Sequence, residues 1–284
     1  MHAFWVIAGT TLGALLIGAG ILHLIPKLGK PGRAVSDALC RAPLLDLVIT
    51  YFTVAPMLVG AFLRGWKGLA AGAVGELSTL IVWTILSELA HPEARKGPRI
   101  IKFNNYLVGP MRNMLAVYIT AIVTPLFWFT RVAEIALYPA LTALVGLPPY
   151  KSGEWVNVSR HKFSGLVGHD LIWCLYCDWM TGVWSLGSEM LRNVESFWCP
   201  IRFASDKKCA NCRTDFPDLD GGWVDATANL SDVTKTLETM YKRDEEYHPW
   251  FGHPVRITVK GQPVPERELA SVAPGNGNGH SGSA

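Results

Sequence analysis

Five of the six cysteines, Cys174, Cys177, Cys199, Cys209 and Cys212, fall in one stretch, and Cys40 stands apart. They make two C-x-x-C pairs with a fifth thiol between them. Two such pairs can supply the four sulfurs of a tetrahedral zinc site. A Cys-Pro step, here Cys199-Pro200, also occurs in iron–sulfur ligand runs. Without a metal, a C-x-x-C pair can act as a redox dithiol. Cationic neighbours favour the thiolate, which is both ligand and nucleophile, and Lys207, Lys208 and Arg213 flank the second pair. His161 and His169 are candidates to replace one sulfur. The separation of Cys177 from Cys209 is longer than in common zinc ribbons. Structural zinc, an iron–sulfur cluster, a dithiol pair and cysteines with no shared site therefore all stay open.

The first pair must be positioned by a helix. From Leu166 to Glu195 the pattern predicts one long helix, with a break expected near Gly182 or Gly187. Residues three and four apart share a helical face. Asp170, Cys174, Cys177, Asp178, Thr181, Ser185, Ser188, Arg192 and Glu195 then form a polar stripe. Asp170, Asp178, Arg192 and Glu195 are the groups best placed to act beside the thiols. The plainer alternative is a solvated face, although free cysteine prefers burial. Trp173, Trp179, Trp184 and Trp198 suit an apolar pocket or a membrane interface.

What precedes this helix is built for lipid. The chain of 284 residues is 50% hydrophobic and 17% charged, with a net charge of +3. Soluble domains carry about 25% charged residues. The deficit is concentrated in residues 1–147, where long apolar blocks alternate with short charged loops. A spanning helix needs about 20 apolar residues. The blocks Ala3 to Ile25, Ala42 to Leu63 and Gly68 to Ala90 each qualify, with a tight turn at Arg64-Gly65-Trp66-Lys67. Leu107 to Leu147 is long enough for two more, with a reversal expected between Pro125 and Arg131 and a short fifth segment from Val132. The first block lacks a basic n-region and exceeds the 7–15 residues of a signal-peptide core, so it reads as a retained anchor.

Basic residues set the orientation. Lys27, Lys30, Arg33 and Arg41 crowd one loop, and Arg95, Lys96, Arg99 and Lys102 another. The positive-inside rule puts both in the cytoplasm. With five spans the cysteine region is cytoplasmic too, where thiols stay reduced; if the fifth segment does not cross, that region changes side. Charges inside hydrocarbon need a partner or a cavity. Glu76, in helical register with Thr79 and Trp83, marks a candidate intramembrane site. Asp46 and Arg112 are a candidate buried pair. His23 and His91 are the one histidine pair at the span edges, too shallow for a usual haem arrangement.

The expected fold is an all-α integral membrane bundle of about five hydrophobic segments, residues 1–147, followed by a mainly helical, cysteine-rich soluble domain over 148–222. A helical extension over 223–262 should carry a helix from Ser231, capped by that serine, to Tyr247, and a strand at Val255 to Val259. Residues 263–284, rich in Gly, Pro, Asn and Ser, read as a disordered tail. Phosphate-binding glycine loops, nucleophile elbows and His-Glu-x-x-His are absent, and nothing points to nucleic acid. The expected function is a membrane-bound metal- or thiol-dependent oxidoreductase-type protein using zinc or an iron–sulfur cluster, acting on a lipid-soluble or membrane-proximal substrate. The alternative is a non-enzymatic anchoring subunit with a structural zinc. Expected partners are the bilayer and a membrane or redox protein.

Overall fold

A computed structural model describes residues 1–198 and 227–240, with the backbone of 258–259 and 262–263. The described chain is almost wholly helical, and its strands are limited to one antiparallel pair, β1 (Thr258–Val259) and β2 (Gln262–Pro263). Two compact units alternate along the sequence: residues 1–127 with 151–183, and 128–150 with 184–284.

In the first unit, α1 (His2–Leu24) runs uninterrupted, and α2 (Gly29–Leu39) follows a short turn at Pro26. Then come α3 (Leu44–Thr53) and α4 (Ala55–Ala90). The backbone of α4 leaves helical geometry at Arg64 and Gly65, where Gly65 adopts φ 58°. A Cβ on Gly60 would sit 2.2 Å from the Gly68 carbonyl oxygen, and one on Gly72 would sit 2.6 Å from that of Pro56. Residues eight apart in a straight helix are separated by about 12 Å. The chain therefore folds back at Arg64-Gly65, as the sequence predicts, and its glycines let the two arms touch backbone to backbone.

The longer arm also packs on α1. A Cβ on Gly75 would meet the Thr11 side chain at 2.6 Å and the Ala8 carbonyl at 2.8 Å. Ala8, Leu15 and Ala71 are buried there. Small residues that admit close backbones are how helices associate without a hydrophobic driving force in lipid. Tyr51 of α3 closes the group, its hydroxyl donating to the Ala14 carbonyl at 2.6 Å.

After α5 (Pro92–Lys96) and α6 (Ile100–Val108), Gly109 with φ 87° turns the chain into α7 (Pro110–Ile122), α8 (Thr124–Val132), a π-helical turn (Ala133–Leu137) and α9 (Tyr138–Val145). The reversal expected between Pro125 and Arg131 is not there: Pro110–Val145 runs as one helical segment of 36 residues. Pro125 sits in the first turn of α8, where its missing N–H costs nothing. Arg131 needs no loop because Glu134, one turn on, neutralises it inside the protein. Three segments, His2–Lys27, Ala55–Ala90 and Pro110–Val145, are long and apolar enough to cross a membrane. Leu115, Ile119, Phe129 and Leu144 are among the many large apolar side chains exposed on them, as lipid contact requires.

α10 (Ser152–Trp155) precedes α11 (Gly168–Trp198), the long helix predicted around the first cysteine pair. It passes unbroken through Gly182 and Gly187. Those glycines admit close neighbours instead: the Trp155 carbonyl would lie 2.5 Å from a Cβ at 182, and Thr130 2.7 Å from one at 187. α12 (Leu230–Met240) is the helix predicted from Ser231, and residues 241–247 lie outside the described residues. Its cap is Asn229, not Ser231. The Asn229 side chain accepts from the Ser231 amide at 2.8 Å, and Asp232 accepts from the Asn229 amide at 3.0 Å, a capping box.

Candidate functional site

The two cysteines of the first pair lie one turn apart on α11, half-buried and free of disulfides. Asp178, on the same helical face, organises what stands before them. Its Oδ2 accepts the backbone N–H groups of Ser159 and Arg160 at 2.9 and 3.0 Å, and its Oδ1 meets Arg160 Nε at 2.6 Å. The anchored guanidinium lies beside Cys177 and Cys174. Burial raises the Cys174 thiol above its ordinary range, and Arg160 opposes that rise without cancelling it. An anionic sulfur here has a fixed counter-charge within reach.

The stretch carrying Arg160 is tied to the basic loop after α1. The Ala42 amide donates to the Val156 carbonyl at 3.0 Å, and the Val158 amide to the Cys40 carbonyl at 2.9 Å. Lys162 pairs with Asp37 at 2.8 Å, and His161 Nε2 lies 3.8 Å from the Cys40 sulfur. Burial, then the Lys162 charge, lowers the His161 pKa, and burial raises the Cys40 thiol. The lone cysteine thus stands near a histidine, a proximity that spacing along the chain could not show.

Asp170, at the head of α11, is tied to the second basic loop. Arg99 Nε donates to its Oδ2 at 2.7 Å, and Arg99 Nη2 to Glu88 Oε1 at 2.9 Å. The amides of Ile100 and Ile101 donate to the Asp170 oxygens, each at 3.1 Å, so this carboxylate caps α6 from across the fold. Gly168, with φ 53°, lets the chain pass Glu88, and its N–H donates to Ser87 Oγ at 3.2 Å. Burial pushes the Asp170 carboxyl up. His169 and Arg99, with the Ile101 amide, more than offset this and hold it at about 2. His169 Nδ1 is 3.8 Å from Asp170 Oδ1, too long for a hydrogen bond, so Arg99 and the amides carry most of that effect. Glu88 and Arg99 lie outside the sequence-derived site. Arg99 reads there only as one of four loop charges.

In the second unit, Arg192 donates to Glu189 Oε1 at 2.5 Å, and Glu195 is half-buried on the same helix. Glu189 is itself buried, as are Arg131 and Glu134, which pair at 2.6 Å. Asn193 Nδ2 donates to the hydroxyls of Tyr138 and Tyr150 at 2.9 and 2.6 Å, and the Tyr138 hydroxyl donates in turn to the Pro148 carbonyl at 3.0 Å. Glu189 and Asn193 fall off the predicted polar stripe, which is why the sequence does not single them out. Glu76, on the long arm of α4, has a buried Oε1 with no hydrogen-bond partner among the described residues. His23 stacks on Trp83 with ring centroids 5.9 Å apart, and His91 Nδ1 lies 2.9 Å from the Ser87 carbonyl. Asp46 is buried and Arg112 exposed.

Among the described residues no three His, Cys, Asp or Glu side chains are placed to hold one metal ion. Cys199, Cys209 and Cys212 lie outside the described residues. Cys174 and Cys177 could therefore contribute two sulfurs to a zinc or iron–sulfur site, with further ligands from outside the described residues. No known family model, curated protein or solved structure matches the chain.

Proposed function

We propose that the protein is a multi-pass membrane protein with a metal- or thiol-dependent, oxidoreductase-type centre at its cytoplasmic face, acting on a lipid-soluble or membrane-proximal substrate. The observation that carries this reading is the setting of Cys174 and Cys177. Two free thiols share one helical face against a guanidinium fixed by Asp178. With Cys199, Cys209 and Cys212 they would hold zinc or an iron–sulfur cluster. Without metal, the pair would form a disulfide as two electrons and two protons pass to the substrate.

Hydrogen bonds within the first unit support the assignment of the membrane side. Residues 156–162 join the loop around Asp37 to Ala42, and Asp170 joins Arg99. Both partners belong to the basic loops that the positive-inside rule assigns to the cytoplasm. In this reading residues 151–183 share the face that α6 leaves, and Pro110–Val145, one helical segment, enters the bilayer without a net crossing. The turn at Arg64-Gly65 falls opposite, with Ala42 to Leu63 and Gly68 to Ala90 as separate spans.

One observation favours an anchoring subunit with a structural zinc. Asp170 and Asp178 both spend their oxygens on arginines and backbone amides, so they shape the fold rather than wait for substrate. Metal content and an absorption spectrum of the detergent-purified protein separate the two readings. Charge-transfer bands with bound iron, or thiols that cycle reversibly with a dithiol reagent, support the redox centre. Stoichiometric zinc without redox-active thiols supports the anchor. Protein with neither metal nor reactive thiols would remove the proposal.

A further inference from the structure

The described part of the second unit is built inside out, and we infer that its exterior is a lipid-contacting surface that includes the C-terminal half of α11. The interior face of that half-helix presents Leu186, Glu189, Met190 and Asn193, all buried. Asn193 has a relative exposure of 0% and Glu189 of 3%. Facing them, α8 and the π-helical turn bury Arg131 at 0% and Glu134 at 3%. The outward face carries Trp184, Leu191 and Trp198, spaced seven residues apart and exposed by 54%, 66% and 64%. On the companion segment Phe129, Ile135, Leu137 and Leu144 are exposed as well.

A water-facing unit would reverse this order, because charged side chains are almost never fully buried and large exposed apolar patches are rare on soluble proteins. In hydrocarbon the same order is the stable one: charges turn inward and pair, and apolar side chains face the acyl chains. The companion segment also belongs to Pro110–Val145, one of the three helices long and apolar enough for a bilayer. Its exposed face and that of α11 are parts of one unit with one polarity. Tryptophans at both ends of the α11 stripe fit a half-helix lying along one headgroup boundary, where amphipathic rings collect. The occupant of this surface is therefore the bilayer and not a soluble partner. The sequence hides it because five charged residues between Asp170 and Glu195 lower the mean hydropathy of the helix, although the two at Glu189 and Arg192 pair with each other.

The test is photolabelling of the full chain in phospholipid vesicles. One sample carries a diazirine confined to the acyl region, the other a water-soluble carbene source, and adducts are mapped by mass spectrometry. Leu115 and Ile119 on the exposed face of α7 give the reference for lipid contact. The expected result is lipid-phase adducts at Leu191, Trp184 and Trp198 at the level of the reference positions, with Met190 unlabelled. Adducts from the aqueous reagent alone would overturn the inference, because the face would be solvated. Protection from both reagents would overturn it too, because another part of this chain or another protein would be covering the stripe. Neither result depends on metal or on thiol reactivity, so this inference and the proposed redox centre fail independently.

Discussion

Asp170→Asn should destabilise the first unit by an amount that can be worked from its contacts. The carboxylate and its partner Arg99 are each only 4% exposed at the side chain. Orphaning one member of a buried pair costs about 3–5 kcal/mol. Arg99 keeps Glu88 at 2.9 Å in the variant, so the loss falls toward the lower end of that range. Titration gives a consistent size. The Asp170 carboxyl moves from 3.8 to about 2 on folding, which at about 1.4 kcal/mol per pH unit is about 2–3 kcal/mol. A depressed folded value means this stability is fully present above pH 3.8 and drains away as pH falls toward 2. The assay is reversible unfolding in mixed micelles at neutral and acid pH. The wild type should exceed Asp170→Asn by about 2–3 kcal/mol at pH 7, and the gap should close as the pH approaches 2. A difference below about 0.5 kcal/mol at neutral pH, the size of an ordinary surface change, would refute the latch. So would a gap that does not depend on pH.

Gly75→Val should disrupt the α1–α4 contact, since its Cβ would fall 2.6 Å from Thr11, at a cost of about 1–3 kcal/mol or more. Gly9→Ala, where nothing lies within 4 Å, should be neutral or slightly stabilising in the same thermal-shift series. Asn193→Leu should cost about 1–3 kcal/mol by removing the amide hydrogen bonds to the Tyr138 and Tyr150 hydroxyls. Tyr150→Phe, which removes one hydrogen bond of that set, should cost less; both are read by unfolding in micelles.

Much of the membrane half is legible from composition, because a bilayer imposes a length and a polarity on every span. The reversal at Arg64-Gly65 could be read because a glycine beside two charges interrupts an apolar run. The reversal expected near Pro125 fails for a physical reason. A proline bends a helix without turning it back, and Arg131 is silenced by a partner three residues away. Helical periodicity likewise places Cys174, Cys177 and Asp178 on one face. It cannot show that Arg160, from a separate loop, stands before them, or that Arg99 is committed to Asp170 while its three neighbouring basic residues stay exposed. Those are long-range pairings, and one sequence carries no signal for them. Glu189 and Asn193 are missed because polar residues on a helix are read by default as facing water, and here the polarity is inverted.

Every proposal about the thiols depends on the compartment they face. The direct measurement is a pair of topology reporters, fused after Gly65 and after Gly222. The turn at Gly65 should lie outside and the region after Gly222 in the cytoplasm, so the two fusions should report opposite sides. Reporters on the same side would contradict the arrangement, and with it the cytoplasmic, reducing setting of Cys174 and Cys177.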